Sequence, residues 1–315
     1  MPQLTYPKPV VDIAGLSRAE WLAVRNEGIG GSDAAAILGV SPWTSRYSLW
    51  LDKTTAPAQK QVKPETEAMR FGNLMEPVVA EIFGKNMNVE VIKDTTLYRH
   101  PEHEFMLANL DGLISTQNNG EPDAVLEIKT SRSAWDEVPA YYVSQVQHYM
   151  AVTNMPVAYV AALFGGEEFA TFEVPRDDEY IERLIEAEAE FWQSVQQAIE
   201  PAIDGSKSTH DTLRKAYDVD AGKTVELDNT IAEMIEWRAN AKLLVEQYEA
   251  EVREAEARIM DALRDAEVGT INGKNVVTWK SQSRSSIDTK ALKEAHPDIA
   301  EQFMKSSSFR VLRVK

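Results

Sequence analysis

The run AVLEIKTS at 124–131 reads as a β-strand, so its side chains alternate between two faces. Leu126 and Ile128 then point into a core, while Glu127 and Lys129 share the opposite face. A carboxylate and an ammonium two residues apart on an otherwise apolar strand are costly to bury unless they have a partner or a task. Asp111 lies upstream in LANLDGLI, between apolar residues and just before Gly112. Antiparallel pairing of 105–115 with 124–131 sets Asp111 beside Glu127. Two neighbouring carboxylates repel unless one is protonated or a cation lies between them. Oxygen ligands of this kind suit Mg2+, with Mn2+ as the alternative, held by one or two carboxylates and several waters. The carbonyl of Ile128 is a further candidate ligand. Lys129 is then expected to face the water that the metal activates or the phosphate oxygens under attack.

Three further segments bear on the same chemistry. In YYVSQVQHYM (141–150), Gln145 and Tyr149 are four apart and share one face of an expected helix. In RFGNLMEPVV, Glu76 is a carboxylate among apolar neighbours, aimed at the same metals if that helix packs on the strand. In GIGGSDAAAILG, a glycine-rich turn leads into a helix whose first amides, with Ser32, suit a phosphate. Asp, a spacer and Glu-x-Lys form the pattern of the PD-(D/E)xK nucleases, which hydrolyse phosphodiesters with bound metal.

The elements that must position these residues are legible as changes of period. Residues 1–15 read as an irregular arm. A short helix follows at 17–27 with Ser17 as N-cap, then a second one capped by Ser32 or Asp33 and running through Leu38. Residues 64–84 read as a longer helix, bent at Gly72 or Pro77. Strands are expected at 89–98, 104–115 and 124–131, a helix at 139–153, a hairpin of 157–164 with 168–174, and a helix at 176–200. This order gives an α/β core. PAIDGSKSTH (201–210) is a linker candidate. Between 225 and 267, Val245, Tyr248, Val252, Ala255, Ile259 and Ala262 recur in alternating steps of three and four, a heptad seam. Such a seam packs on its own chain, or forms a helical arm or oligomer contact. A hairpin around Asn272-Gly273, a helix at 288–305 and a strand at 308–314 complete the chain. The expected domains are 1–205 for the core, 206–268 for linker and long helical arm, and 269–315 for a small α+β tail.

Composition limits the setting. The 315 residues include 43% hydrophobic residues, enough for a real core, and no cysteine, which removes disulfides and thiolate metal sites. No apolar run approaches the ~20 residues of a membrane helix, and the first residues predict no secretion signal. A cytoplasmic location is expected. The net charge is −17, against the usual basic balance of nucleic-acid binders. Residues 1–200 carry 15 Lys and Arg against 30 Asp and Glu, whereas 271–315 carry nine against four. DNA contact must therefore come from a local basic patch, with bound metal offsetting acidic charge at the site.

RNEGIGGSDAAAILGVSPW, FGNLMEPVVAEIF, ANLDGLI, LEIKTS and YVSQVQHYM, in this order and at these spacings, resemble the YqaJ-type viral recombinase family, related to phage lambda-type alkaline exonucleases. The resemblance covers roughly residues 18–165. It implies a restriction-endonuclease-like core, a central mixed sheet flanked by helices, which here precedes the long-helix arm and the α+β tail. It implies 5′-to-3′ digestion of one strand of linear duplex DNA, leaving 3′ single-stranded overhangs for recombination. It also implies a single-strand annealing partner, RecT-like or Redβ-like, a homotrimer around DNA, and a bacterial host cell with phage or prophage origin. Position by position, Asp111 and Glu127 match metal ligands, Lys129 the catalytic lysine, Glu76 the helical acid and Gln145 the supporting glutamine. Arg25 and Ser32, with Arg132, match the pocket for the 5′-phosphate end, where an arginine fork suits a terminal phosphate. Two alternatives differ in reaction: a structure-selective or nicking endonuclease on the same fold, and a non-catalytic recombination scaffold.

Overall fold

Short strands from the first 175 residues form two sheets, and the amphipathic runs fold as helices that cover them. The computed structural model describes residues 8–56, 66–217, 220, 222–304 and 310–314. The chain divides into two compact units, Met1–Ala216 and Tyr217–Lys315. The first runs β1 (Lys8–Asp12), α1 (Arg18–Arg25), β2 (Ile29–Gly30), α2 (Gly31–Ile37), α3 (Arg46–Thr54), α4 (Glu67–Met87), β3 (Glu90–Ile92) and β4 (Thr96–Arg99). It continues with β5 (Met106–Asn109), β6 (Gly112–Ser115), β7 (Ala124–Ser131), α5 (Ala140–Thr153), β8 (Val157–Phe164), β9 (Glu168–Pro175), α6 (Asp178–Gln196) and α7 (Lys207–Ala216).

The larger sheet has the order β3-β6-β7-β8-β9, with β7 and β8 parallel and the other pairs antiparallel. A parallel pair needs a crossover, and α5 supplies it. α4 covers one face, where Val79 and Phe83 pack on Ile114, Leu126, Ile128 and Leu163. α5 covers the other, where Val146 and Met150 pack with Val125, Ala158 and Val160. β7 is thus buried on both sides, which explains its near-continuous apolar sequence. The smaller sheet, β1-β4-β5-β2, lies beside it. α2, α3 and α6 share a third cluster around Ile37, Trp50 and Phe191. This is the mixed α/β core, with a mixed sheet between helices, that the sequence predicts.

Several expectations give way in detail. The run 89–98 is two strands, β3 and β4, in different sheets. The run 104–115 breaks at Leu110–Asp111 into β5 and β6, also in different sheets. The arm at 1–15 contains β1, paired with β4. Helix α3 was not anticipated. α4 passes through Gly72 and Pro77 as one helix, and an added Cβ at Gly72 would lie 3.7 Å from Thr130 Oγ1, so this is where α4 approaches β7. The expected linker leads into α7, which belongs to the first unit. Ser208 Oγ accepts from the Ser45 N–H, and Thr209 Oγ1 donates to Ser45 Oγ at 2.7 Å.

In the second unit, α8 (Asn229–Leu263) is one helix of 35 residues, started by Asp228 as N-cap. The seam residues Val245, Tyr248, Val252 and Ile259 are exposed, so here they form a bare stripe rather than a packed one. β10 (Val268–Ile271) and β11 (Lys274–Thr278) form a hairpin whose turn residues, Asn272 and Gly273, both have positive φ, as a two-residue turn of this hand requires. The expected helix at 288–305 divides at His296 and Pro297 into α9 (Thr289–Ala295) and α10 (Pro297–Gln302), because Pro297 cannot donate to the preceding turn. Residues 310–314 are not a strand, and 308 and 309 lie outside the described residues. Among the described residues no helix is long and apolar enough to cross a membrane.

One buried polar contact ties three elements of the first unit together. His148 on α5 has no solvent exposure; its Nε2 donates to the Leu107 carbonyl at 3.0 Å, and its Nδ1 lies 2.8 Å from Glu188 Oε1 on α6. Burial alone would depress the pKa of His148, but the Glu188 carboxylate and the Leu107 carbonyl outweigh it and raise the value above the ordinary one. The contribution of His148 is therefore complete below about pH 6.5 and is lost as pH rises through the raised value, while burial raises Glu188 as well, against the pull of His148. His148→Ala leaves Glu188 buried without its partner and is expected to cost about 3–5 kcal/mol in urea denaturation. The variant should also lose that part of the decline in stability above neutral pH.

Candidate active site

The site is made by a fork in the strands. β6 pairs with β7 from Ile114↔Ala124 to Gly112↔Leu126 and then stops, because the chain turns away at Asp111 toward β5 in the other sheet. Beyond Leu126, β7 has lost its neighbour on that side. Asp111 fills the gap with its side chain, accepting a hydrogen bond from the Ile128 N–H at 2.8 Å. The strand break that sequence periodicity missed is thus what points this carboxylate at Glu127, Ile128 and Lys129.

Glu127 is 1% exposed, the least accessible of the candidate residues. Its Oε1 accepts from Gln145 Nε2 at 2.7 Å, and Lys129 Nζ forms an ion pair with the same oxygen. The second amide hydrogen of Gln145 goes to the Tyr149 hydroxyl at 2.9 Å, so the i, i+4 pair on α5 acts as one bracket for Glu127. Lys129 also lies over the ring of Tyr142, 4.6 Å from its centroid. Lys129 is thus held between the carboxylate of Glu127 and the ring of Tyr142.

The electrostatics follow from burial and like charge. Burial, then Asp111 and Glu76, push Glu127 up to about 8 against the pull of Lys129. Burial also raises Asp111, opposed by Lys129 and the Ile128 N–H. Glu76 on α4 is raised by burial and then by Asp111. Burial would depress Lys129, but Glu127 and Asp111 outweigh it and raise its value. Three acids stand against Lys129 and, at Glu76, Lys93, which leaves a deficit of positive charge. Glu127 Oε2 is buried without a hydrogen-bond partner, as is Oδ1 of Asn109, and both residues line the same cleft. These oxygens suit a hard divalent cation that keeps part of its water shell. Among the described residues no three His, Asp or Glu side chains converge as a ready-made metal cage, so any ion here relies on waters and backbone oxygen as well.

The cleft, about 370 Å3, is lined by Glu76, Asp111, Glu127, Ile128, Lys129, Gln145 and Tyr149, and at its other end by Trp21, Arg25, Gly30, Gly31 and Ser32. The Arg25 guanidinium donates to Ser32 Oγ at 2.5 Å and to Asp33 Oδ1 at 3.1 Å. Asp33 also accepts from the Gly30 N–H at 3.1 Å and pairs with Lys53 at 2.9 Å. Burial alone would raise Asp33, yet Lys53 and Arg25 hold its pKa far below the carboxylate range. The cap of α2 is Gly30, with Asp33 in the first turn, rather than Ser32 or Asp33. Gly31 has to lack a side chain, because a Cβ there would sit 2.4 Å from the Tyr149 ring.

Of the residues singled out by sequence, Glu76, Asp111, Glu127, Ile128, Lys129, Gln145, Tyr149, Arg25 and Ser32 meet in one cleft. Arg132 does not: it is exposed on the loop past β7 and takes no part in the lining, since the strand ends before reaching it. Asp33, Lys53, Asn109 and Tyr142 were missed. Asp33 carried a signal, its place three residues after Gly30. Lys53 carried none, because the helix that delivers it lies 20 residues away in sequence.

The model of the YqaJ-like viral recombinase domain matches residues 20–156. The protein YqaJ of Bacillus subtilis is 37% identical over 311 residues, covering 95% of either chain. The chain belongs to the YqaJ-like viral recombinase family. Protein D345L of African swine fever virus is 25% identical over 171 residues, 46% of this chain and 48% of its own. Among solved structures, the alkaline exonuclease LHK-Exo from Laribacter hongkongensis is similar at 20% identity and a TM-score of 0.49, covering 57% of this chain and 94% of that one. The close approach of Tyr149 makes Gly31 a sensitive position. Gly31→Ala forces Tyr149 aside and loosens the bracket on Glu127. A loss of about 1–3 kcal/mol is expected from overpacking, together with a drop in any activity of the cleft at temperatures where the variant stays folded.

Proposed function

We propose that the chain is a metal-dependent deoxyribonuclease that digests one strand of linear duplex DNA from its 5′ end. The observation that carries this reading is that one cleft holds both the acid and lysine cluster and the Arg25–Ser32 pair. The first is chemistry for a phosphodiester, and the second is chemistry for a terminal phosphate. Asp111, Glu127 and Glu76, with the Ile128 carbonyl, would hold Mg2+ or Mn2+. When bound, the metal lowers the pKa of water and stabilises the leaving 3′ oxygen.

The chain's own residues do the rest. Lys129 would orient the attacking water and offset charge on the phosphoryl oxygens. Gln145 and Tyr149 hold Glu127 in one rotamer, so the site needs little rearrangement on reaction. Asp33 and Lys53 fix Arg25, whose guanidinium and the Ser32 hydroxyl receive the 5′-phosphate. The overhang left behind is the substrate class taken up by a single-strand annealing protein, in keeping with a family of recombinases. PD-(D/E)xK catalysis on a restriction-endonuclease-like core is the chemistry these residues suit.

Linear duplex labelled separately at each end, with closed circles alongside, tests the reading directly. Magnesium-dependent release of the 5′ label alone, abolished by EDTA and sparing circles, is expected; cutting of circles would favour an endonuclease. Lys129→Ala should lower cleavage by at least 100-fold while keeping affinity for DNA ends, and normal cutting by this variant would remove Lys129 from the mechanism. Arg25→Ala should erase most of the preference for 5′-phosphorylated over 5′-hydroxyl ends. Mg2+ should raise the melting temperature of the native chain but not of Asp111→Asn, because an ion that binds only the folded state stabilises it by mass action.

A further inference from the structure

Trp43, on the loop after α2, has no part in the chemistry above, yet it is 62% exposed and stands over the first turn of α5. Its ring centroid lies 4.8 Å from Tyr141, nearly edge-on, and 6.2 Å from Tyr142. Tyr141 and Tyr142 are 4.5 Å apart. Tyr142 is backed by Trp135 at 5.2 Å, which rests on Phe164 at 5.0 Å. The group is therefore anchored in the core at one end and open at the Trp43 end.

Its place along α5 gives it meaning. Tyr149 touches Gly31 at the Arg25–Ser32 end of the cleft. One turn earlier Gln145 holds Glu127. Another turn earlier Tyr142 lies under Lys129, and Tyr141 beside it carries Trp43. Eight residues of helix, about 12 Å, thus run from the terminal-phosphate pocket, past the acids and the lysine, to an exposed aromatic surface. If the 5′-phosphate lies at Arg25 and the scissile phosphate at Lys129, the next nucleotides on the 3′ side pass the aromatic end. At a rise of about 3.4 Å per nucleotide along a strand, the 4.6 Å and 6.2 Å steps from Lys129 through Tyr142 to Trp43 put Trp43 one to three nucleotides beyond. Bases inside a duplex have both faces covered by their neighbours. A strand drawn into a cleft of this size has left its partner and offers a bare face. Aromatic rings bind such faces whatever the base.

We propose that Trp43, seated on Tyr141 and Tyr142, is a stacking platform for an unpaired nucleobase on the 3′ side of the phosphate at Lys129. The proposal rests on the nuclease reading. It gives the chain a grip on single-stranded DNA that owes nothing to net charge, which suits a protein carrying −17.

The test measures fluorescence anisotropy of the full-length chain with 5′-phosphorylated duplex frayed over its first four nucleotides, in EDTA so that the substrate stays intact. A matched set carries one abasic site at position 2, 3 or 4. Trp43→Ala should weaken binding about tenfold, with Trp43→Phe recovering most of it. One abasic position should cost the native chain a similar factor and cost the Ala variant nothing more, the mark of two groups acting on each other. Binding by Trp43→Ala within twofold of native, or an abasic penalty equal in both proteins, overturns the platform. If that happens while magnesium-dependent cleavage of linear duplex is intact in the native chain, the platform alone is wrong. A native chain that neither binds nor cuts DNA ends removes the nuclease reading and the platform with it.

Discussion

Two carboxylates and a lysine share a space from which water is mostly excluded, and much of the first unit serves that arrangement. In low dielectric the repulsion between Asp111 and Glu127 is strong, and each carboxylate also bears a desolvation penalty. The fold meets this by local means: the Ile128 N–H on Asp111, and Gln145 and Lys129 on Glu127. It meets it incompletely, because one oxygen of Glu127 stays buried without a partner. A well-compensated cluster would be a structural ion pair; an under-compensated one attracts a cation. The covering helices keep the cluster dry. Losing β6 as a neighbour keeps it open on one edge.

Much of this was legible in the sequence because it is local. Glu127 and Lys129 are two apart on a strand, and Gln145 and Tyr149 four apart on a helix. Fixed periods therefore place each pair correctly before any fold is known. Glu76 needed only the expectation that its helix packs on the strand. The break at Leu110–Asp111 was not legible, because nothing in an apolar run of twelve residues says that its halves belong to different sheets. The Asp33–Lys53 contact was hidden for the same reason, being set by where α3 lands. Arg132 failed in the opposite way. A charge just past the end of a strand looked close to the site in sequence, but the strand ends and the side chain leaves with the loop. The long helix was legible as a helix, whereas whether its seam is covered depends on contacts that periodicity does not encode.

The overall charge and the local charge answer different questions. An excess of acid governs long-range behaviour, repelling phosphate at a distance and making approach sensitive to salt. At contact, Arg25 and Lys129 are the cations that line the cleft beside the acids. Within the cleft, a phosphate is thus drawn to Arg25 and to Lys129.

The parallel pairing of β7 with β8 has a consequence for the chain as it is made. β7 carries Glu127 and Lys129, but its seven register partners on β8 run to Phe164 and follow the whole of α5. Closing a loop of that length precedes any reward from the pairing, which makes such contacts late events in folding. A chain released from synthesis short of β8 would hold the acids, the lysine and even the bracket residues of α5, yet lack the strand that fixes β7 in place. Assembly of the site is therefore all-or-none with respect to chain length. Truncated products of translation would carry the acids and the lysine without the strand that holds them in register.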